Sequence, residues 1–379
     1  MKSAEEQVRA RKSWESQERE NNSIKGGIVM RKLVVFSLLI LFAVTIMFAG
    51  KGERIFAFPT YSNEVEGGML LILDLTNPTA PKAVYELKTE LASFPGIYVS
   101  GNYLYLTASN YSNNLIGHAD FYVLNISDIE NPTVEMIIEV PEQACKITQS
   151  GNYLYLANWN LGLSVVDVSV PSSPQLIKTL KIDQYEINQG IREVEVSGNY
   201  LYLGAMDHKT RGQKSGIHVV DISDPSDPLL VASYIDRSLL DGVYDIAIDG
   251  NKLYAGSVGG GIAVLDISNP LSPELIERKA KYLSVLGLVV GEYHVYAGCI
   301  SKGIAVFSEE INSNVQYFRE FSQHHIYWEF EILDDRLYAA NDFAGVKILD
   351  ISNEGNPILL GTFQTENFDV CDAIKTIKR

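Results

Sequence analysis

The chain is poor in cysteine, in proline and in positive charge. Its 379 residues include three cysteines, Cys145, Cys299 and Cys371, far apart and without a CxxC pair. That excludes a disulfide scaffold and a zinc site built on thiolates. Thirteen prolines against 46% hydrophobic residues, with 21 Tyr and 14 Phe, exclude a disordered chain. The first 50 residues hold 8 Lys or Arg and 5 Asp or Glu, whereas the other 329 hold 23 and 42, a net charge of −19. A body this acidic repels phosphate backbones and anionic lipid heads, so nucleic acid is not expected among its partners. Catalytic signatures are missing as well. The sequence has no HExxH, no Walker loop, no GxSxG elbow and no GxGxxG after a strand. The GQKSG at 212–216 looks like a damaged phosphate loop, but it lies between two strands with no helix to follow. No cofactor and no metal are expected.

One long apolar run is present. Residues 33–50 read LVVFSLLILFAVTIMFAG, without a charge, directly after Met30, Arg31 and Lys32. A basic start followed by an apolar stretch is the form of a secretion signal, and a run of this length is also at the short end of what spans a bilayer as a helix. A third reading is a buried core helix. The first two both place the body outside the cytoplasm, secreted or anchored by residues 33–50, with the net-positive end inside. Residues 1–29 are then a charged extension, or an over-called start with Met30 as the true initiator, ahead of the signal or anchor at 30–50, and the body is 51–379. The membrane enters only through that apolar segment.

Two phrases alternate through the body. The first is a hairpin phrase, GNYLYL at 101, 151 and 198, with looser copies at 52, 250, 291 and 334. The second is a strand followed by a turn: LILDLTNPTAP from 71, SVVDVSVPSSP from 164, HVVDISDPSDP from 218, AVLDISNPLSP from 263 and KILDISNEGNP from 347, with degraded copies from 122 and 305. Self-similarity at such a period is the mark of a repeat architecture. Gly-Asn between apolar strands supplies the positive-φ residues of a two-residue hairpin turn. Stretches such as YLYL and IAVLDI are apolar on both faces, as in sheets covered on both sides. The Asp-x-Ser segment is turn chemistry, and the second Pro opens a strand that belongs at a sheet edge. Each repeat therefore reads as four antiparallel strands, A to D from first to last. Such a sheet cannot stand alone, and face-to-face packing around an axis buries both faces. The expected fold is an all-β, seven-bladed β-propeller of four-stranded antiparallel blades. It is closed by the C-terminal strand VCDAIKTI (370–377) and preceded by an N-terminal hydrophobic helix.

The VVDVS, VVDIS, VLDIS and ILDIS segments, each followed by a Pro-containing turn and alternating with GNYLYL phrases, resemble the LVIVD-repeat proteins of bacteria and archaea. The resemblance covers about 52–377 and implies an extracytoplasmic propeller, with no established activity to carry over. The second repeat departs from the pattern with Asn125 for Asp, and the sixth with Ser308 for Asp and both prolines lost.

What varies between copies is the set of B–C loops, inside a repeat, and D–A loops, between repeats, which share one face of a propeller. Loops on a rigid scaffold are where function usually sits. Three B–C loops are long, at 59–68, 109–120 and 205–216. The ligand-binding candidates on this face are Asn158, Trp159, Arg192, Asp207, His208, His324, His325, Tyr327, Trp328, Asn341 and Asp342. Amphipathic aromatics beside amides and acids suit a sugar or a peptide. The expected function is a non-enzymatic extracytoplasmic binding or scaffold propeller presenting this face to a protein or surface polysaccharide. The alternative is a channel-mouth hydrolase or lyase using an acid pair or metal, with Asp207, His208, Asp241 and Asp342 as its parts. The repeated Asp (Asp74, Asp167, Asp221, Asp266, Asp350) read as turn residues, and the repeated Tyr as packing between blades.

Overall fold

The structure is a computed structural model that describes residues 44–47, 54–61, 68–89, 93–109, 119–141, 144–182, 189–207, 213–239, 242–300, 302–310, 313–318, 326–341, 345–364 and 370–371. Both phrases form what their chemistry asks for. Gly101, Gly151, Gly198 and Gly250 take φ between 52° and 58° at the A–B turn, and Asp334 takes 50° where glycine is replaced. The turn needs one left-handed residue rather than two, since the Asn after each Gly is not among the positive-φ residues. In the second phrase, the carboxylates of Asp167, Asp221, Asp266 and Asp350 each accept the backbone N–H two residues on, at 2.7–2.8 Å. Asn125 does the same for Ser127 at 2.9 Å, so the degraded copy keeps its turn.

Six sheets have four antiparallel strands in simple meander order. They serve below as blades one to six. Their inner strands are Ser93–Ser100, Ala144–Ser150, Gln189–Ser197, Val243–Asp249, Val285–Val290 and Tyr327–Leu333. Strand D lies on the outer edge in each, directly after the second Pro where the phrase is intact. Inner strands of successive blades lie side by side, from blade one through blade six.

The expectation of seven four-stranded blades behind a hydrophobic helix is corrected here. Four-stranded blades number six. The first repeat instead enters a five-stranded sheet, in which Arg54–Tyr61 pairs with Gly68–Asp74 on one side. On its other side it pairs with two short strands end to end, Val44–Met47 and Val370–Cys371. The described part of the apolar run is thus a strand, not a helix, paired from Val44↔Ala57 to Met47↔Arg54. The physical reason is the open inner edge of Arg54–Tyr61: the first repeat lacks an A strand, and the β-branched stretch VTIM satisfies those backbone groups as a strand. The C-terminal strand contributes two residue pairs, Thr60↔Cys371 and Tyr61↔Val370. The remainder of 372–377 lies outside the described residues. No helix among the described residues is long and apolar enough to cross a membrane.

Blade faces are apolar on both sides and pack against the next blade. One cluster joins Tyr155, Leu163 and Val165 of blade two to Ile191, Val194, Leu201 and Leu203 of blade three, and another joins blades one and two through Phe121, Val123, Ile147 and Leu154. The second tyrosine of each hairpin phrase, as in Tyr105, Tyr155 and Tyr202, is buried in these seams, and the first, Tyr103, Tyr153 and Tyr200, is partly buried against them. Tyr105 Oη donates to the Pro171 carbonyl of the next blade at 3.3 Å, and Tyr296 Oη to that of Glu354 at 2.9 Å. Each thus anchors a C–D turn of its neighbour as well as filling the seam.

Candidate functional site

Inner strands of a propeller line its central channel, and here each carries a β-bulge at one level. The register slips past Cys145, Arg192, Tyr244, Leu286 and Trp328 in blades two to six, and between Ser93 and Gly96 in blade one. A bulge re-aims the side chains next to it. The residues that follow form one layer: Gly96, Lys146, Glu193, Asp245, Gly287 and Glu329. They pair on strand B with Thr107, Ala157, Gly204, Gly256, Gly298 and Ala340. The small partners leave room for the neighbouring blade. A Cβ on Gly204 would stand 3.0 Å from Val243, and one on Gly298 would stand 2.5 Å from the Tyr327 carbonyl.

Four of those six positions hold charged side chains, all inside the protein. Lys146 Nζ of blade two reaches Glu329 Oε1 of blade six at 2.6 Å and lies 3.8 Å from Glu193 Oε1 of blade three. Asp245 of blade four accepts the N–H of Leu288 from blade five at 2.5 Å and of Ile246 at 2.8 Å. Glu193 also accepts the Val194 N–H at 3.1 Å. The layer thereby ties blade two to blades three and six, and blade four to blade five. Above it, toward the loop face, the Arg192 guanidinium sits 4.9 Å from the centroid of the Tyr244 ring and 6.0 Å from that of Trp328, with Nε donating to the Tyr244 carbonyl at 3.4 Å. Below it, a cavity of about 440 Å³ runs along the inner strands toward the A–B turn end, lined by Glu195, Asp245, Glu329, Glu331 and Lys146 among apolar residues.

The layer holds three carboxylates and one ammonium in a place water reaches poorly. Burial pushes the Asp245 carboxyl up to about 7, against the pull of Lys146 and the Leu288 N–H. Burial also raises Glu193 well above the usual carboxylate range, with Asp245, Glu195 and Glu329 adding to it and Lys146 opposing. For Lys146, burial works to lower the pKa, but the carboxylates of Glu193, Glu329, Asp245 and Glu195 outweigh it and hold the ammonium well above its ordinary value. Burial and mutual repulsion thus favour the protonated form of Glu193 and Asp245, with Lys146 opposing them. Among the described residues no group of three or more His, Cys, Asp and Glu side chains is placed to hold a metal ion.

The structure separates the expected site residues. It brings together Arg192 and Trp328, at the bulges of blades three and six. Asn158 and Asn341 are fully buried at equivalent strand ends, opposite Gly162 and Gly345. Trp159 contributes its backbone carbonyl, which accepts the Ile191 N–H at 2.8 Å. Asp207 is buried and accepts the Lys214 N–H at 3.0 Å, which closes its own loop. Tyr327 is buried and stacks on Phe330 at 5.8 Å. His208, His324, His325 and Asp342 lie outside the described residues, as do Asp241 and much of the long loops.

Lys146, Glu193, Asp245 and Glu329 escaped the sequence reading, which looked to the loops. A signal was there: each stands five residues before the A–B turn residue, Gly151, Gly198, Gly250 or Asp334. A charge at constant offset inside an apolar strand, present in four of the six blades, marks a position that faces something special.

The LVIVD repeat matches at residues 141–181, 191–236, 242–280 and 332–365. No curated protein matches the chain. Among solved structures, the β-propeller domain of Myceliophteria thermophila Cps50 (Swd1) aligns at 11% identity over 79% of this chain and 93% of that one, with a TM-score of 0.57. The computationally designed Ika8 protein aligns at 13% over 83% and 99%, with a TM-score of 0.50. BamB from Moraxella catarrhalis aligns at 11% over 78% and 79%, with a TM-score of 0.49. At such identities the likeness is one of fold. The four matched stretches fall on blades two, three, four and six, the copies whose Asp-x-Ser turns are intact, and the chain is accordingly a β-propeller carrying LVIVD repeats.

Proposed function

We propose that this propeller is a non-enzymatic binding module that works outside the cytoplasm and offers its B–C and D–A loop face to a protein partner with a basic surface. One observation carries the reading: among the described residues, hydrogen bonds hold the part of this face formed by blades two to five. The Trp159 carbonyl takes the Ile191 N–H, and the Leu239 carbonyl takes the Ser257 hydroxyl at 2.7 Å. Ser284, between blades four and five, accepts Gly259 N–H on its hydroxyl at 3.2 Å and Ile300 N–H on its carbonyl at 2.9 Å. Gly242 bridges to Met206. Loops fixed this way lose little entropy on binding. The net charge of −19 over residues 51–379 favours a basic protein over a neutral polysaccharide and makes association sensitive to salt. Arg31 and Lys32 followed by the uncharged, largely apolar residues 33–43, ahead of the strand Val44–Met47, support export.

Photoreactive side chains placed at Arg237 and Val258 on the loop face, and at Asn199 and Asn251 on the A–B turns, test the choice of face. The expected result is one shared partner protein cross-linked from the loop face alone, with a yield that falls at high salt. Cross-links from the A–B turns alone, or from neither face, would overturn the reading. An alkaline phosphatase fused after residue 379 should be active in the native host, and an inactive but intact fusion removes the extracytoplasmic placement.

A further inference from the structure

We infer that Lys146, Glu193, Asp245 and Glu329 form a proton-linked latch across the central channel, tight when the layer holds few negative charges and loosened as its carboxylates ionise. The geometry makes the latch a property of the ring rather than of one blade. Lys146 crosses from blade two to Glu329 of blade six, and Asp245 of blade four grips a backbone N–H of blade five. Among the described residues, the charged groups facing this layer are few. Blade three adds Arg192 above and Glu195 below, and blade six adds Glu331 below. The inner strand of blade five offers only the Leu288 N–H, that of blade one carries Tyr98 and no charged residue, and Arg54–Tyr61 carries no carboxylate.

With all side chains ionised, the four-residue layer stands at −2, and Glu195 and Glu331 make it more negative. With Glu193 and Asp245 protonated, the layer is neutral and Lys146 pairs with Glu329 alone. Like charges in a poorly hydrated layer repel strongly. The repulsion acts between inner strands of blades three, four and six, and the cavity beneath gives them somewhere to relax. The raised pKa of Asp245, about 7, places the change near neutrality.

Thermal melts of the full chain from pH 5.5 to 8.5 test this, with Glu193→Gln and Asp245→Asn beside the wild type. Asp266→Asn, in an outer turn, is the control. The wild-type melting temperature should fall by roughly 5 °C as pH rises through this window. Each latch variant should show a shallower slope and the control the wild-type slope. A wild-type curve that is flat or rising overturns the latch, as do latch variants that keep the full slope. Should the variants fail to fold, hydrogen exchange at inner-strand ladder amides of blades three, four and six that do not donate to Glu193 or Asp245 decides in the wild type. Their protection, corrected for the intrinsic pH dependence, should drop about tenfold across the window, and constant protection overturns the inference.

Discussion

Lys146→Met should lower the stability of the ring by about 3–5 kcal/mol at pH 8, and by much less at pH 5.5. The ammonium of Lys146 lies 2.6 Å from Glu329 and 3.8 Å from Glu193, and methionine fills similar volume without the charge. Breaking a buried pair by removing one partner leaves the other as an uncompensated buried charge, and here two carboxylates are left. At pH 5.5 they escape the penalty by taking up protons. The pH dependence has a definite sign. A carboxyl such as Asp245, whose folded pKa lies above its unfolded value, contributes stability that is full below the ordinary carboxylate pKa and is lost as pH rises through about 7. The outer-turn aspartates behave oppositely. Hydrogen bonds from Ser223, Ser268 and Ser352 hold Asp221, Asp266 and Asp350 below the usual range, so their contribution is present at higher pH and is lost on acidification. Maximum stability is therefore expected in mildly acidic solution, between the two effects. Denaturant midpoints from pH 4 to 9 on wild type and Lys146→Met check both statements. Equal loss at pH 5.5 and 8 would show that packing, not charge, is what Lys146 contributes.

A second large effect is expected at the start of strand C. Gly261→Val should cost about 3–5 kcal/mol, whereas Gly250→Ala should cost about 1. Both glycines have positive φ, 75° and 52°. They differ in what surrounds them. A Cβ on Gly250 meets nothing within 4 Å, so only the backbone preference is lost. A Cβ on Gly261 would lie 2.6 Å from the carbonyl oxygens of both Lys279 and Ala280, main-chain atoms of strand D and its exit that cannot swing aside. A β-branched residue makes this worse by adding a second atom to the Cβ. Gly162 occupies the same place in blade two, with φ of 93° and the Leu180 carbonyl 2.6 Å from a Cβ, and the same substitution there should be as severe. Melting temperatures of the three variants separate the contributions. A Gly261→Val protein as stable as Gly250→Ala would mean that the strand D carbonyls yield to the added side chain.

These two sites differ in how plainly the sequence announced them. The glycine before each IAVLD-like strand stands in the repeat for anyone to see, but so does the glycine of each hairpin turn, and the letters do not say which has a carbonyl against its Cα. The Asp-x-Ser turns were legible down to their hydrogen bonds, because an Asx turn is closed within three residues. The tyrosine seams were legible as packing. The number of regular blades was not: the missing A strand of the first repeat and the C-terminal strand at its edge could be read from the chain, but not that Val44–Met47 would pair there as well and make a five-stranded sheet.

Arg192 and Trp328 were picked for their chemistry and do meet, yet the reason they meet is the bulge that both blades share. Asn158, Asp207 and Asn341 were picked on the same grounds and lie buried at strand ends on the loop side. What the sequence determined by itself is everything governed by nearest neighbours: the strands, the turns between them, the order of four in a repeat, and the outer edge marked by proline. The tertiary structure alone decided the channel layer. Lys146 and Glu329 are 183 residues apart, and which inner-strand side chains converge depends on how the blades close around an axis, information that no local pattern holds.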